Sequence, residues 1–200
     1  MKKLTKLFGL LLVAGALLTG CQQNVDIDTD ELKLSNGKWE MNLKNTESFE
    51  GTEGGVSFKS SGTEKEKDTF KVSGDAIEYL SASGSGSGKI EFPADTDATI
   101  LEFAKEMIAA GLPDGVELKL DGTTFSYSYT YTATEDDLKA KNDSNPKVSE
   151  IKFPKVARIQ TNKKKTEYKI SWETESTDST DPANPTTEKE SYNITFKKLK

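Results

Sequence analysis

The chain has 200 residues, 30% of them charged, with 27 Lys plus Arg against 33 Asp plus Glu, no His and a single Cys. Without His, the protein has no imidazole to act as a general base or to hold zinc. With one Cys, it has neither disulfides within the chain nor cysteine-cluster metal sites. What remains is catalysis by carboxylate, lysine or tyrosine side chains, metal binding through oxygen ligands, or no catalysis.

The N-terminal segment differs in composition from the rest of the chain. Three lysines precede an apolar run of twelve residues at 7–18, and a small pair of residues follows before Cys21. This order is typical of an export signal, which we predict over residues 1–20. The run is shorter than the roughly 20 residues that a spanning helix needs, so we do not expect it to remain as a membrane span.

The end of this segment, Leu18-Thr19-Gly20-Cys21, resembles the lipobox of bacterial lipoproteins. The resemblance implies that the Cys21 sulfur receives a diacylglyceryl group, that the preceding peptide is cleaved, and that the new N-terminus is acylated. Two or three acyl chains give stable anchoring, whereas one chain gives only marginal binding. We therefore expect an exported protein, held by membrane lipid at the outer or cytoplasmic membrane of the cell envelope.

The remaining chain is acidic. Removal of the three lysines in the signal leaves 24 basic residues against 33 acidic ones, a net charge of −9, and Arg158 is the only arginine. Because phosphate binding needs concentrated Lys and Arg, no nucleic-acid partner is expected. Residues 21–36 are polar and acidic, which predicts a tether followed by a single β-rich domain over 37–200. The acidic residues of this tether lack the Gly and Glu of a calcium loop, so we predict no metal.

Most of this domain shows strand periodicity. Apolar residues alternate with polar ones, the pattern of half-buried strands, and the segments predict about ten strands. The alternating sets are Trp39, Met41 and Leu43; Val56 and Phe58; Phe70 and Val72; Ile90 and Phe92; Val116, Leu118 and Leu120; Phe125, Tyr127, Tyr129 and Tyr131; Ile151 and Phe153; Tyr168, Ile170 and Trp172; and Tyr192, Ile194 and Phe196. Ser/Ala/Gly-rich residues 81–88 and polar residues 174–190 read as flexible loops.

One amphipathic helix interrupts the strands. Asp97 or Thr99 can cap it, and Thr99 and Glu102 have the spacing of a capping box. Apolar residues follow at intervals of three and four, and Gly111 ends the pattern. We predict a helix over about 97–110 that packs on a sheet face or plugs the end of a barrel. A second helix of one or two turns is expected to start after Thr134.

The dipeptide Asp121-Gly122 predicts a two-residue hairpin turn. The resulting cross-strand pairs are Leu120 with Thr123, Leu118 with Phe125, and Val116 with Tyr127. All the apolar members then share one face of the hairpin, whereas a slip of one residue would move them to the other face.

Together these elements favour a mainly β fold, an antiparallel β-barrel or sandwich of about ten strands with one helix. Gly37-Lys38-Trp39 is similar to the Gly-x-Trp that opens lipocalins and lipocalin-like bacterial domains. The resemblance implies that Trp39 closes one end of a barrel. The chain departs from that family because its helix lies mid-chain and because Arg158 does not lie in the final strand.

The predicted ligand residues are Tyr129 and Tyr131, which extend past the partner strand of the hairpin toward its open end. We expect them to contact a small apolar or amphipathic ligand. The alternative is a structural or interaction protein with a filled core, whose charged loops at 135–147 and 174–190 meet another envelope or host macromolecule. No pattern selects a catalytic carboxylate pair, so we expect neither an enzyme nor a cofactor.

Overall fold

The computed structural model describes residues 25–26, 32–53, 56–178 and 186–200. Cys21 and the predicted signal peptide lie outside the described residues, as does most of the predicted tether. Lipidation therefore stays a prediction. Within the described ranges, no helix combines the length and the apolar character needed to cross a bilayer.

The described residues form nine strands, two α-helices and one short 3₁₀ helix. In chain order they are β1 (Val25–Asp26), β2 (Gly37–Glu53), β3 (Val56–Ser73), β4 (Ala76–Glu91), α1 (Ala98–Ala109), β5 (Lys119–Asp121), β6 (Thr124–Thr132), α2 (Glu135–Asp143), the 3₁₀ helix (Val148–Glu150), β7 (Arg158–Thr161), β8 (Glu167–Asp178) and β9 (Thr186–Lys198). They make one sheet in the order β1-β7-β8-β9-β2-β3-β4-β6-β5, and its strand pairs are antiparallel.

The predicted mainly β, antiparallel fold is confirmed, but the closed barrel is wrong. Among the described residues no pairing joins the two edge strands, so the sheet stays open, and it is a single layer instead of a sandwich. The strands are also fewer and longer than expected. The separate patterns at 56–58 and 70–72 belong to one strand of 18 residues, β3. The intervening residues carry polar side chains on both faces, which hid the continuity of the strand.

The two segments predicted as loops are also largely strand. Residues 81–88 lie inside β4, where β3 and β6 supply ladder hydrogen bonds on both sides. Residues 174–178 and 186–190 pair with one another and extend the β8–β9 hairpin. Both segments have the composition of flexible loops, but long neighbouring strands hydrogen-bond to their backbone groups and hold them as strands.

The buried core occupies one end of one face of the sheet. Its centre is formed by Trp39, Phe70, Tyr168 and Phe196, and the segment at 32–35 covers it. The cover is held by polar contacts as well as by packing. Trp39 Nε1 donates a hydrogen bond to the Ser35 carbonyl at 2.8 Å, and the Tyr168 hydroxyl donates to the Lys33 carbonyl at 3.1 Å. Trp39 therefore sits in the core at one end of the sheet, although the sheet does not close around it.

The predicted helix is present as α1, but its packing differs from the expectation. Of the two predicted caps, Asp97 and Thr99, the helix uses Asp97, whose side chain accepts from the Thr99 backbone N–H at 2.7 Å. No residue of α1 is buried, and the side chains of Phe103 and Met107 are 65% and 61% exposed. The helix therefore lies outside the buried core and has no extensive contact with a strand, although the apolar residues on its other side are half-buried: Ile100, Leu101, Ala104 and Ile108. The second, short helix is confirmed as α2, with a capping box between Thr134 and Asp137.

The hairpin forms, but its two-residue turn lies one residue later in the chain than predicted. Asp121 pairs with Thr124 and Leu120 pairs with Phe125, which leaves Gly122 and Thr123 in the turn. Gly122 has a φ of 59°, a conformation that suits glycine. Because both strands shift by one residue, Leu120 and Phe125 remain on the same face. The predicted face is therefore right and the predicted pairs are wrong.

Candidate functional site

One face of the sheet changes in character along the strands, from apolar core through a carboxylate-rich middle to a cluster of Phe rings. Strand side chains alternate between faces, so cross-strand partners share a face. Three adjacent rows of partners form the middle: Tyr131, Gly84, Glu66, Leu43 and Ile194; Tyr129, Gly86, Glu64, Asn45 and Tyr192; and Tyr127, Gly88, Gly62, Glu47 and Glu190. We call these rows, with the adjoining Asp68, the acidic face.

The tyrosine rings of β6 lie directly over glycines of β4. A Cβ added at Gly84 or Gly86 would come within 2.4 Å of the ring of Tyr131 or Tyr129, respectively. A Cβ at Gly88 would come equally close to Tyr127. Glycine is therefore required at these positions, because the rings occupy the space that a side chain would fill. Aromatic rings that cover strand glycines in this way are known to stabilise sheets.

A groove of about 630 Å³ opens between the acidic face and α2. Its wall includes apolar side chains, carboxylates and both tyrosines that the sequence analysis singled out. The lining includes Leu43, Glu64, Glu66, Tyr79, Ala82, Tyr129, Tyr131, Leu138 and Lys141. The volume lies within the range of about 300–1,000 Å³ that is usual for small-molecule sites.

Lys141 of α2 fixes the helix over the sheet. Its Nζ lies 2.7 Å from Asp68 Oδ2, 3.4 Å from Glu66 Oε1 and 4.1 Å from the ring centroid of Tyr79. The next residue, Asn142, donates through Nδ2 to the Tyr79 carbonyl at 3.0 Å and accepts from the Tyr79 N–H at 2.7 Å. These contacts hold α2 as one wall of the groove.

Burial changes the acidity of the carboxylates on this face. Glu66 is 8% exposed, and desolvation together with the charge of Asp68 raises its pKa to about 7. Burial also raises the pKa of Glu64, and the pKa of Glu47 is raised by burial and then by the charges of Glu64 and Glu190. Desolvation is the largest single influence on Lys141 and lowers its pKa, but the charge of Asp68, the hydrogen bond to Asp68 and the charge of Glu66 together outweigh it and raise that pKa above its ordinary value.

Two buried oxygens on this face lack a donor. Asp68 is 0% exposed, and only its Oδ2 is bonded to Lys141; its Oδ1 has no hydrogen-bond partner among the described residues. Asn45 is 9% exposed, and its Oδ1 likewise has none. Buried polar atoms without a hydrogen-bond partner are uncommon and costly. The acidic face therefore has two buried oxygen atoms that can still accept a hydrogen bond.

Sequence reasoning missed most of these charged residues. The signal for them was present, since Glu64, Glu66 and Asp68 continue with period two into Phe70 and Val72. Lys141 carried no local signal, because its contact with Asp68 crosses from a helix to a distant strand. Among the described residues, no group of three or more acidic side chains is arranged to hold a metal ion.

Comparison of the chain with protein-family models, with curated proteins and with solved structures gives no match. What can be inferred about function therefore comes from the residues and their geometry.

Proposed function

We propose that the protein is an exported bacterial lipoprotein, anchored to the cell envelope through acylated Cys21, whose β domain binds a small apolar or amphipathic ligand. Residues 1–20 act as the signal peptide and are removed. The ligand lies in the groove beneath α2, on one face of the open sheet. This position differs from that of a ligand in a lipocalin, which lies in the mouth of the barrel. Trp39 nevertheless lies near the start of the first long strand, as in the lipocalin pattern.

The observation that carries the binding role is the groove itself, whose wall contains Tyr129 and Tyr131. Aromatic and aliphatic side chains supply apolar contact, and a few charged groups fix the orientation of a ligand, which is the usual composition of such sites. We infer binding without catalysis and without a cofactor, and the carboxylates of the groove disfavour a nucleic acid as its ligand.

A second candidate is a structural or interaction lipoprotein with no small ligand. Two observations favour it: the core beneath Trp39 is filled by side chains, and α1 exposes Phe103 and Met107. In that case the apolar side of α1 would meet another macromolecule of the envelope or host.

The anchor is tested by the intact mass of the protein extracted from its native membrane. We expect a chain that begins at Cys21 and carries fatty acids. An unmodified chain that begins at Met1 would contradict the lipoprotein proposal.

The binding role is tested by displacement of an apolar fluorescent dye with a lipid extract from the same cells. We expect dye binding that Tyr131→Ala weakens and that Phe103→Ala leaves unchanged. Binding that depends on Phe103 and not on Tyr131 would favour the second candidate, and absence of dye binding would count against the first.

A further inference from the structure

We propose that the groove ligand is an amphipathic organic cation, with its ammonium head between Glu64 and Asn45 and its apolar part against Leu43, Ala82 and Leu138. This inference rests on the proposed function, because it assumes that the groove binds a small ligand, and it adds the charge and shape of that ligand.

The first support is an uncompensated charge. Lys141, the cation that α2 brings into the groove, is committed to Asp68 at 2.7 Å. Glu64 accepts a hydrogen bond from the neutral Tyr129 hydroxyl at 3.1 Å, and no described cation pairs with it or with Glu47. Like charges held in a partly desolvated site attract a cation strongly, because the effective dielectric constant is lower than in water.

The second support is the unsatisfied Asn45 oxygen. Asn45 is the direct cross-strand partner of Glu64 on the acidic face, and its buried Oδ1 lacks a donor. A primary ammonium group carries three donors and no acceptor, so one head group can serve both the Glu64 carboxylate and this carbonyl oxygen. Asn45 does not itself line the groove, so neighbouring side chains must move for the head to reach its buried Oδ1.

The third support is the aromatic and aliphatic wall. The rings of Tyr129 and Tyr131 border the groove, and aromatic faces attract cations within about 6 Å. Burial, followed by the nearby carboxylates, raises the pKa of both tyrosines above the ordinary value, so the rings stay neutral. Since the described carboxylates are not arranged to hold a metal ion, an organic cation with an apolar tail fits the site better than a metal.

The test compares three probes with one chain length and different head groups: hexylammonium, hexanol and hexanoate. Each is titrated by calorimetry at pH 7.5 into the full chain carrying Cys21→Ser, which prevents acylation. A hydrogen bond to a charged group is worth about 1.5–3 kcal/mol, so we expect hexylammonium to bind at least about tenfold more tightly than hexanol. Hexanoate should bind most weakly.

The variants isolate the head-group contact. Glu64→Gln keeps the shape of the side chain and should bring the affinity for hexylammonium close to that for hexanol, whose own affinity stays unchanged. Glu47→Gln provides a second variant with a smaller effect in the same direction. Glu102→Gln on exposed α1 makes the same charge change outside the groove and should alter none of the three affinities.

The outcomes separate the two proposals. If hexanol and hexylammonium bind equally in the parent chain, the ligand is not recognised as a cation, and this inference falls while groove binding stands. If hexanoate binds most tightly, the inference is also overturned. If none of the three binds, the small-ligand function itself fails and the inference fails with it.

Discussion

The hydroxyl of Tyr129 on β6 donates a hydrogen bond to Glu64 on β3 over 3.1 Å, although β4 lies between these two strands. The contact is possible because Gly86 is the β4 residue in the same row and leaves its surface free of side chains. The neutral ring thus covers the backbone of one strand and orients a carboxylate on the next.

This arrangement predicts that Gly86→Ala damages the acidic face. The added methyl would lie 2.4 Å from the ring of Tyr129, so the ring must move and the bond to Glu64 is lost. We expect the free energy of unfolding to fall by about 1–3 kcal/mol, as for other overpacked sites, measured by urea denaturation. The matched control is Ser87→Ala, on the opposite face of the same strand, which should change stability by no more than about 0.5 kcal/mol. Equal stability of the two variants would show that the ring does not need the glycine.

Replacement of Lys141 by Met should be strongly destabilising. It leaves the fully buried Asp68 without its cation, and breaking a buried pair in this way costs about 3–5 kcal/mol. Lys139→Met on the same helix is the control, because Lys139 and its partner Asp143 are both mostly exposed and surface pairs are worth little. Thermal unfolding of the two variants gives the comparison. If Lys141→Met were as stable as Lys139→Met, the contact of Lys141 with Asp68 would not be what holds α2 against the sheet.

Glu66 should make stability depend on pH. Its folded-state pKa of about 7 lies above its ordinary value of 4.5, so the folded state holds its proton more tightly than the unfolded state. The stability it contributes is fully present below about pH 4.5 and is lost as the pH rises through about 7. Glu66→Gln cannot lose a proton, so its stability relative to the parent chain should rise over this interval and stay constant above it. A difference that is flat from pH 4.5 to 7.5 in urea titrations would exclude this role.

Trp39→Ala should show how much the core depends on one ring. The ring is fully buried, and truncation of such a side chain costs about 3–5 kcal/mol. Phe103→Ala removes a similarly large ring from exposed α1 and should stay within about 0.5 kcal/mol of the parent. Urea denaturation of both proteins tests the contrast. A large loss in Phe103→Ala would mean that α1 is packed in solution.

Sequence patterns located the core because each strand there carries a local signal. Trp39, Phe70 and Tyr168 lie within alternating segments, and all three are buried on one face. The middle of the sheet was misjudged because its inward side chains are polar or absent, as at Glu64 and Gly86. The side chains that surround Glu64 and Gly86 belong to strands far away in the sequence. Closure of the sheet into a barrel likewise depends on whether its two edge strands, which are distant in the sequence, pair with each other.

For the candidate site, the sequence pointed to Tyr129 and Tyr131 through their position beyond a short hairpin partner, and the structure places both at the groove. It did not point to the opposite wall. The Lys141–Asp68 pair joins residues 73 positions apart, and no periodicity on one element reveals such a contact.

The length of β2 also sets a distance. Gly37 begins β2 beside the apolar core, whereas Asn45 marks the row of Tyr129 and Glu64. At about 3.3 Å per residue, these positions are separated by about 25 Å along the strand. A molecule bound in this row therefore lies well away from the end of the sheet at which β2 begins.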